Sequence, residues 1–423
     1  MNAIIDLCFS LDDSLLATAS GDQTARVIDM TTQTTISVLS KHSASLKQVR
    51  FQPGVTNNSI IATSSRDGTV KVWDLRCKGT EPALGICIHP ENSEDASLYS
   101  SKSKIGYGRV VGNIYDAHHP LLHLRTPRTI PSRNGPVRVE RTGDISVTAV
   151  TFLPEGKEHL LLTGSEANAS VKLWDVRSLY NARRKTTVPL SCTAQPKSHS
   201  QWRHFGINSL NLSCDGSRLY TLCKDNTVYA YSVPHLILGQ APELSTEPTR
   251  ARYQNADCQE GLGPLYGFRH QQLHATSFYV KSAIRPAKFG RVEMLAVGSC
   301  DGCTIIFPTD EKYLYLDHKP ALEINEEITR VSQKGGNLRS YSRLEDNITI
   351  SYNGTPLVRG HDKEVGALAW TSDGELITVG DDFLVRCWRE GKEARELRIG
   401  GEQCGRRWNC GWADIPLSYD EEE

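Results

Sequence analysis

The chain lacks a long apolar run, an excess of one charge and any compact catalytic signature, and each absence removes a class of function. No stretch approaches the roughly 18 to 20 consecutive apolar residues that a membrane-spanning helix needs. Lys and Arg number 48 against 49 Asp and Glu, a formal net charge of -1. No broad field therefore draws the protein to nucleic acid or anionic lipid, and any such contact would be local. The N-terminal MNAIIDLCFSLDDS has no basic region and already alternates like a strand, unlike a signal peptide. The 12 cysteines are scattered, with Cys8, Cys223, Cys300 and Cys387 inside strand-like runs. That is the pattern of free core thiols in a reducing compartment, not of a disulfide framework. There is no phosphate-binding Gly-rich loop, no serine elbow and no HExxH pair. GGEQCG at 400–405 lacks the strand–Gly–helix context of a dinucleotide site. Cys404 and Cys410 have no companion ligands nearby at zinc spacing. Neither metal nor cofactor is expected, and no enzyme activity.

What the chain has is repetition. Ser64 to Arg76, SSRDGTVKVWDLR, reads as a strand, a tight Asp-Gly turn, a second strand and a Trp-Asp pair. The figure returns in six units. Their last-strand reference positions are Ile28, Trp73, Trp174, Tyr231, Phe307 and Trp388. Turns are marked by Gly21-Asp22, Asp67-Gly68, Asn168, Asp225-Asn226, Asp301-Gly302 and Asp373-Gly374. The fifth unit opens on TSFYVKSAI (276–284) as its first strand. Four short antiparallel strands cannot bury both faces of a sheet alone, so such units must stack, and stacked radially they form a propeller with short, protected edges. The fold class is all-β, a β-propeller. A bare repeat of this type runs about 40 to 45 residues; the wider spacings here require insertions at about 77–144, 178–204, 234–274 and 312–358. These are rich in Ser, Pro, Gly, Asn and charge and are expected as exposed loops that also hold some fourth-strand segments.

Inside a unit, a buried polar chain can tie the strands together. In the second unit its expected members are His42, Ser65, Asp67 and Trp73: the turn carboxylate accepts from the imidazole, the imidazole meets the Ser65 hydroxyl, and the hydroxyl meets the indole. His361, Asp382 and Trp388 form a partial copy, with Gly380 at the hydroxyl position. Elements that recur once per sheet satisfy buried donors; an active site would not be built six times. The basic stretches 126–141 and 182–185 read as solvated loops, and without interleaved aromatics direct nucleic-acid binding is not expected.

These repeats look like WD40 repeats, and the resemblance extends further. SSRDGTVKVWDLRC (64–77), ASVKLWDVRSLYNARR (169–184), FGINSLNLSCDGSRLYTLCKDNTVYAYS (205–232), HATSFYVKSAIRP (274–286) and HDKEVGALAW (361–370) resemble the Cdt2 family, WD40 substrate receptors of Cullin4–DDB1 ubiquitin ligases. The resemblance implies a seven-bladed propeller type over residues 1–412, with the N-terminal blade absent, followed by an acidic tail at 413–423. It implies a non-catalytic receptor that binds a DDB1-like adaptor and through it Cullin4. It implies substrates that display degrons on chromatin-bound sliding clamp, among them replication-licensing and cell-cycle proteins, and location in the nucleus. The family's adaptor-binding mark falls here on Trp73, Asp74 and Arg76, and on Trp174, Asp175 and Arg177. Each Arg follows a strand end and should emerge at one rim, where its five-donor fork suits carboxylates and carbonyls; Asp74 and Asp175 would orient it. Asp22, Lys47, Arg50, Tyr279 and Lys281 lie at or near strand ends as candidate contacts for the degron. The rival reading is a general WD40 scaffold in chromatin assembly or RNA processing.

Overall fold

The computed structural model describes residues 3–54, 58–79, 106–118, 145–154, 156–179, 188–201, 204–239, 259–260, 262–287, 291–315, 348–357, 360–390 and 409–411. The acidic tail and most of the insertions lie outside these residues. The chain divides into two compact units, Met1–Cys192 with Leu236–Gly261, and Thr193–His235 with Leu262–Glu423.

The first unit holds three sheets. The first sheet comprises β1 (Ile4–Phe9), β2 (Leu15–Ser20), β3 (Ala25–Asp29) and β4 (Thr34–Leu39). The second comprises β5 (Leu46–Phe51), β6 (Ile60–Ser65), β7 (Val70–Lys78) and β8 (Gly106–Ile114). A short parallel bridge of Ser37 and Val38 with Gly106 and Tyr107 joins the two at their outer strands. The third has β9 (Val147–Phe152), β10 (Leu160–Ser165), β11 (Lys172–Asp175) and β12 (Ser191–Cys192). The one-turn helix α1 (Val176–Leu179) follows β11, and α2 (Lys197–Gln201) opens the second unit.

The second unit repeats the plan. β13 (Ile207–Leu212), β14 (Arg218–Cys223) and β15 (Thr227–Ser232) lead into α3 (Val233–Leu238). β16 (Gln259–Glu260) returns to pair with β12 in the first unit, and β17 (Tyr266–Arg269) is the fourth strand beside β15. β18 (Ser282–Arg285), β19 (Met294–Val297) and β20 (Thr304–Pro308) come next. β21 (Thr349–Ser351) adds to the β17 sheet and β22 (Thr355–Leu357) closes the β20 sheet. β23 (Val365–Trp370), β24 (Leu376–Gly380), β25 (Val385–Arg389) and β26 (Asn409–Gly411) form the last sheet.

The six units read from sequence are thus six sheets, all-β and of the WD40 β-propeller class. Each reference position stands opposite an aliphatic residue: Ile28 faces Leu16, Trp73 faces Ile61, Trp174 faces Leu161, Tyr231 faces Leu219, Phe307 faces Leu295 and Trp388 faces Leu376. Neighbouring sheets bury these faces against one another. Trp73, Ile61 and Leu46 pack with Ala17, Ala19, Val27 and Leu39 of the first sheet, while Val70, Val72 and Ile114 pack with Val150, Leu161 and Trp174 of the third. Short polar clips align successive inner strands. Asp6 accepts from the Val49 amide at 3.0 Å, Gln48 Oε1 accepts from the Val150 amide at 2.7 Å, and Asn211 donates to the Ser282 hydroxyl at 2.6 Å.

The turns behave as their residues require. Gly68, Gly302 and Gly374 hold φ of 75°, 77° and 79°, and Asn226 holds 64°, the left-handed region open to Gly and tolerated by Asn. One expectation needs amendment. TSFYVKSAI does not form one strand; 277–279 is bend and turn, and pairing begins only at Ser282. The insertion 77–144, expected to hold a fourth-strand segment, contains the nine-residue strand β8, hydrogen-bonded along β7.

Candidate functional site

The site begins with the polar chain that fixes the tryptophan in the second, third and last sheets. Trp73 is fully buried, and its indole N–H donates to Thr63 Oγ1 at 2.8 Å. The same oxygen lies 2.8 Å from His42 Nε2, and His42 Nδ1 lies 3.0 Å from Asp67 Oδ2. The donors order themselves in one direction: indole N–H to threonine, threonine O–H to imidazole, imidazole N–H to carboxylate. Asp67 also accepts from the Ser43 and Thr69 amides. The hydroxyl is therefore Thr63 and not Ser65, which corrects the expected chain. Ser65 donates instead to the carbonyls of Ala44 and Ser45 and accepts the Asp67 amide. Residues 63 and 65 share a face of β6. With Trp73 opposite Ile61, Thr63 lies one diagonal step from the indole, and Ser65 is a further step away.

The third sheet repeats the chain with an amide for the carboxylate. Trp174 donates to Thr163 at 2.9 Å, His118 Nε2 lies 2.9 Å from the same oxygen, and His118 Nδ1 lies 3.3 Å from Asn168 Oδ1. The last sheet repeats it in full: Trp388 to Thr378 at 2.9 Å, His361 Nε2 to Thr378 at 2.8 Å, and His361 Nδ1 to Asp382 at 2.9 Å. The copy there is complete, since Thr378 supplies the hydroxyl that Gly380 lacks.

Charge follows from these partners. Burial pushes the His42 imidazole down against the pull of Asp67, so it sits neutral. Burial raises the Asp67 carboxyl, but hydrogen bonds from His42, Thr69 and Ser43 outweigh it and hold it well below the carboxylate range. His118, with only an amide partner and Lys172 nearby, is pushed by burial down to about 3.

With the tryptophan locked, the next residues are held in a fixed way. Arg76 does not follow a strand end as expected: it lies in an irregular stretch of β7 between Asp74 and Lys78, whereas Arg177 follows the end of β11. Asp74 takes both ends of the Arg76 guanidinium, Nε to Oδ1 at 3.0 Å and Nη2 to Oδ2 at 2.8 Å, and also accepts the Arg76 amide at 2.9 Å. Asp175 and Arg177 make the same three bonds at 3.1, 3.0 and 2.9 Å. The acids are mostly covered and the arginines are not: side-chain exposure is 9% for Asp74 against 64% for Arg76, and 20% for Asp175 against 67% for Arg177. Arg76's hydrogen bond lowers the Asp74 carboxyl. Burial raises that of Asp175, but its bonds from Arg177 prevail and lower it.

Both clamps come off the same edge. The Leu75 amide donates to Ser59 and the Val176 amide to His159, at the turns that precede β6 and β10. Gln52, whose amide pairs with Ile60 beside Ser59, donates its side chain to the Glu158 carbonyl at 2.7 Å, next to His159. One edge of the first unit thus presents two arginines in one posture, each held by its own acid.

Other expected residues have local partners. Arg50 pairs with Asp6 at 2.5 Å, Asp22 accepts the Thr24 amide and hydroxyl within its own turn, and Lys281 donates to the Asn208 carbonyl beside the Phe278 ring. Tyr279 is 57% exposed. Lys47 has a partner of its own. Among the described residues, no three His, Cys, Asp or Glu side chains gather as metal ligands, and no helix is long and apolar enough to cross a membrane.

Comparison with known proteins adds the decisive observation. The WD domain, G-beta repeat family matches residues 2–29, 33–74 and 354–389. Cell division cycle protein cdt2 of Schizosaccharomyces pombe is 28% identical over 92% of this chain and 58% of its own length. The chain is similar to Cdt2/Denticleless proteins. The Denticleless protein homolog of Danio rerio is 26% identical over 92% of this chain and 44% of its own, and that of Homo sapiens 24% over 97% and 43%. The chain spans about half the length of these relatives.

Proposed function

We propose that this Cdt2-like chain is a non-catalytic substrate receptor of a Cullin4–DDB1-type ubiquitin ligase, working in the nucleus on degron-bearing proteins of replication licensing and the cell cycle. The observation that carries the reading is the twin Asp–Arg clamp on one edge of adjacent sheets. An arginine held bidentately by its own acid loses less freedom on docking than a loose side chain, and its outward N–H groups still meet carbonyls and carboxylates of a partner. Arg76 and Arg177 are the adaptor contacts in this reading. Asp74 and Asp175 position them, and Trp73 and Trp174 hold the strands in place. The degron docks at the opposite edge of the sheets. The receptor does no bond chemistry; it raises the local concentration of target lysines near a charged conjugating enzyme.

The test is a pull-down with DDB1. Arg76→Ala combined with Arg177→Ala is expected to abolish most capture while thermal unfolding stays within about 2 °C of the parent, since exposed side chains add little stability. Equal capture by the double variant removes the edge contact.

A further inference from the structure

Along the β7–β8 ladder the surface folds inward to a cavity of about 390 Å³ lined by Lys41, Lys71, Arg109, Asn113 and the backbone of Gly79 and Gly108. Its described lining carries three cations and no acid. Lys71 is the unusual member. It sits on the Trp73 face of β7, is 7% exposed, and its ammonium reaches Asn113 Oδ1 only at 3.4 Å, with the Tyr115 ring centroid 5.8 Å away. Among the described residues no carboxylate pairs with Lys41, Lys71 or Arg109. Two described acids of this sheet, Asp67 and Asp74, are already committed. Asp67 is taken up by His42, Ser43 and Thr69. Asp74, opposite Arg109 in the ladder, is gripped by Arg76. Burial pushes the Lys71 ammonium down, with Asp67 opposing.

A desolvated ammonium with one long hydrogen bond is costly unless an anion arrives to meet it. The wall of the cavity is close-packed backbone: a methyl group on Gly108 would run into the Leu39 side chain, and one on Gly79 into the Gly108 carbonyl. We propose that this pocket binds a phosphate monoester dianion, with Lys71 at its floor and Lys41 and Arg109 at its mouth. Three donors of charge match a group bearing about two negative charges and three acceptor oxygens. A carboxylate, with one charge and two oxygens, would leave a cation unmet. The site is separate from the Arg76–Arg177 edge contacts and does not depend on the adaptor reading.

The test is calorimetric titration of the full chain at fixed ionic strength with three probes: inorganic phosphate, a phosphoserine peptide of otherwise neutral sequence, and the same peptide unphosphorylated. Saturable binding of the first two and none of the third is expected. Binding should weaken about tenfold or more in Lys71→Met and in the double variant Lys41→Ala with Arg109→Ala. Tighter binding of the phosphopeptide than of inorganic phosphate identifies a phosphorylated chain as the source; equal binding identifies the free ion. The double variant alters only exposed side chains, so it decides the matter even if Lys71→Met fails to fold. No saturable binding of either phosphate probe, or binding unchanged in the double variant, overturns the proposal.

Discussion

Thr63, Thr163 and Thr378 each stand where an indole, an imidazole and a strand meet. Replacing any of them by valine keeps the shape and removes the oxygen, leaving a buried indole N–H and a buried imidazole nitrogen unmet. Each Thr→Val variant is expected to lose about 1–3 kcal/mol, read as a lower urea midpoint; an unchanged midpoint would show that the chain is ornamental. The histidine, acid and tryptophan of this chain were legible in the sequence because their spacing recurs. The hydroxyl was not, since alternation puts residues 63 and 65 on one face and only the strand register chooses between them. A second residue-scale expectation concerns pH. His118 binds its proton near 6.5 when unfolded but only near 3 in the native state. Between those values the unfolded chain holds more protons, so stability is fully present above about pH 6.5 and falls as pH drops toward 3. Urea midpoints at pH 7.5, 6.5 and 5.5 should decline across the lower interval. His118→Gln should flatten part of that decline; an identical slope in the variant would assign the effect elsewhere.

At the scale of elements, the strands carrying the repeat were readable because Asp-Gly turns and alternating residues agree with each other. β8 was not, because it follows a long insertion and carries no turn signal of its own, and His118 was missed with it. In the second sheet His42 precedes its threonine by 21 residues; in the third, His118 precedes Thr163 by 45, so the spacing that marks one conceals the other. The paired Trp-Asp and Arg positions survive even where the following backbone differs. β7 continues to Lys78, whereas β11 stops at Asp175 and α1 begins. The turns give an element-scale expectation. Gly302 holds φ of 77°, and its carbonyl accepts the His361 amide at 2.8 Å. A methyl group there would collide with the His361 carbonyl, whereas one at Gly156, φ 86°, meets nothing. Gly302→Ala should therefore cost clearly more than Gly156→Ala, whose penalty is backbone strain alone, about 1 kcal/mol. Thermal unfolding of the two variants side by side checks this, and equal losses would contradict the steric argument.

At the scale of the whole molecule, each unit is a stack of sheets whose stability is shared between neighbours, because no sheet covers both of its own faces. The repeat made this organisation legible before any coordinates. Its function was not legible from physics alone: the hydrogen-bonded chains explain why the sheets hold together, while the two Asp–Arg clamps face outward in matching posture. In the proposed reading that edge meets a DDB1-type adaptor. The most direct measurement is the DDB1 dissociation constant for the parent chain, for Arg76→Lys with Arg177→Lys, and for Arg76→Ala with Arg177→Ala, each beside its unfolding temperature. The lysine pair keeps the charge but loses the two-pronged hold on Asp74 and Asp175, so it should bind weakly, and the alanine pair should fall by about thirtyfold or more. Three equal constants at equal unfolding temperatures would show that the adaptor does not dock on this edge.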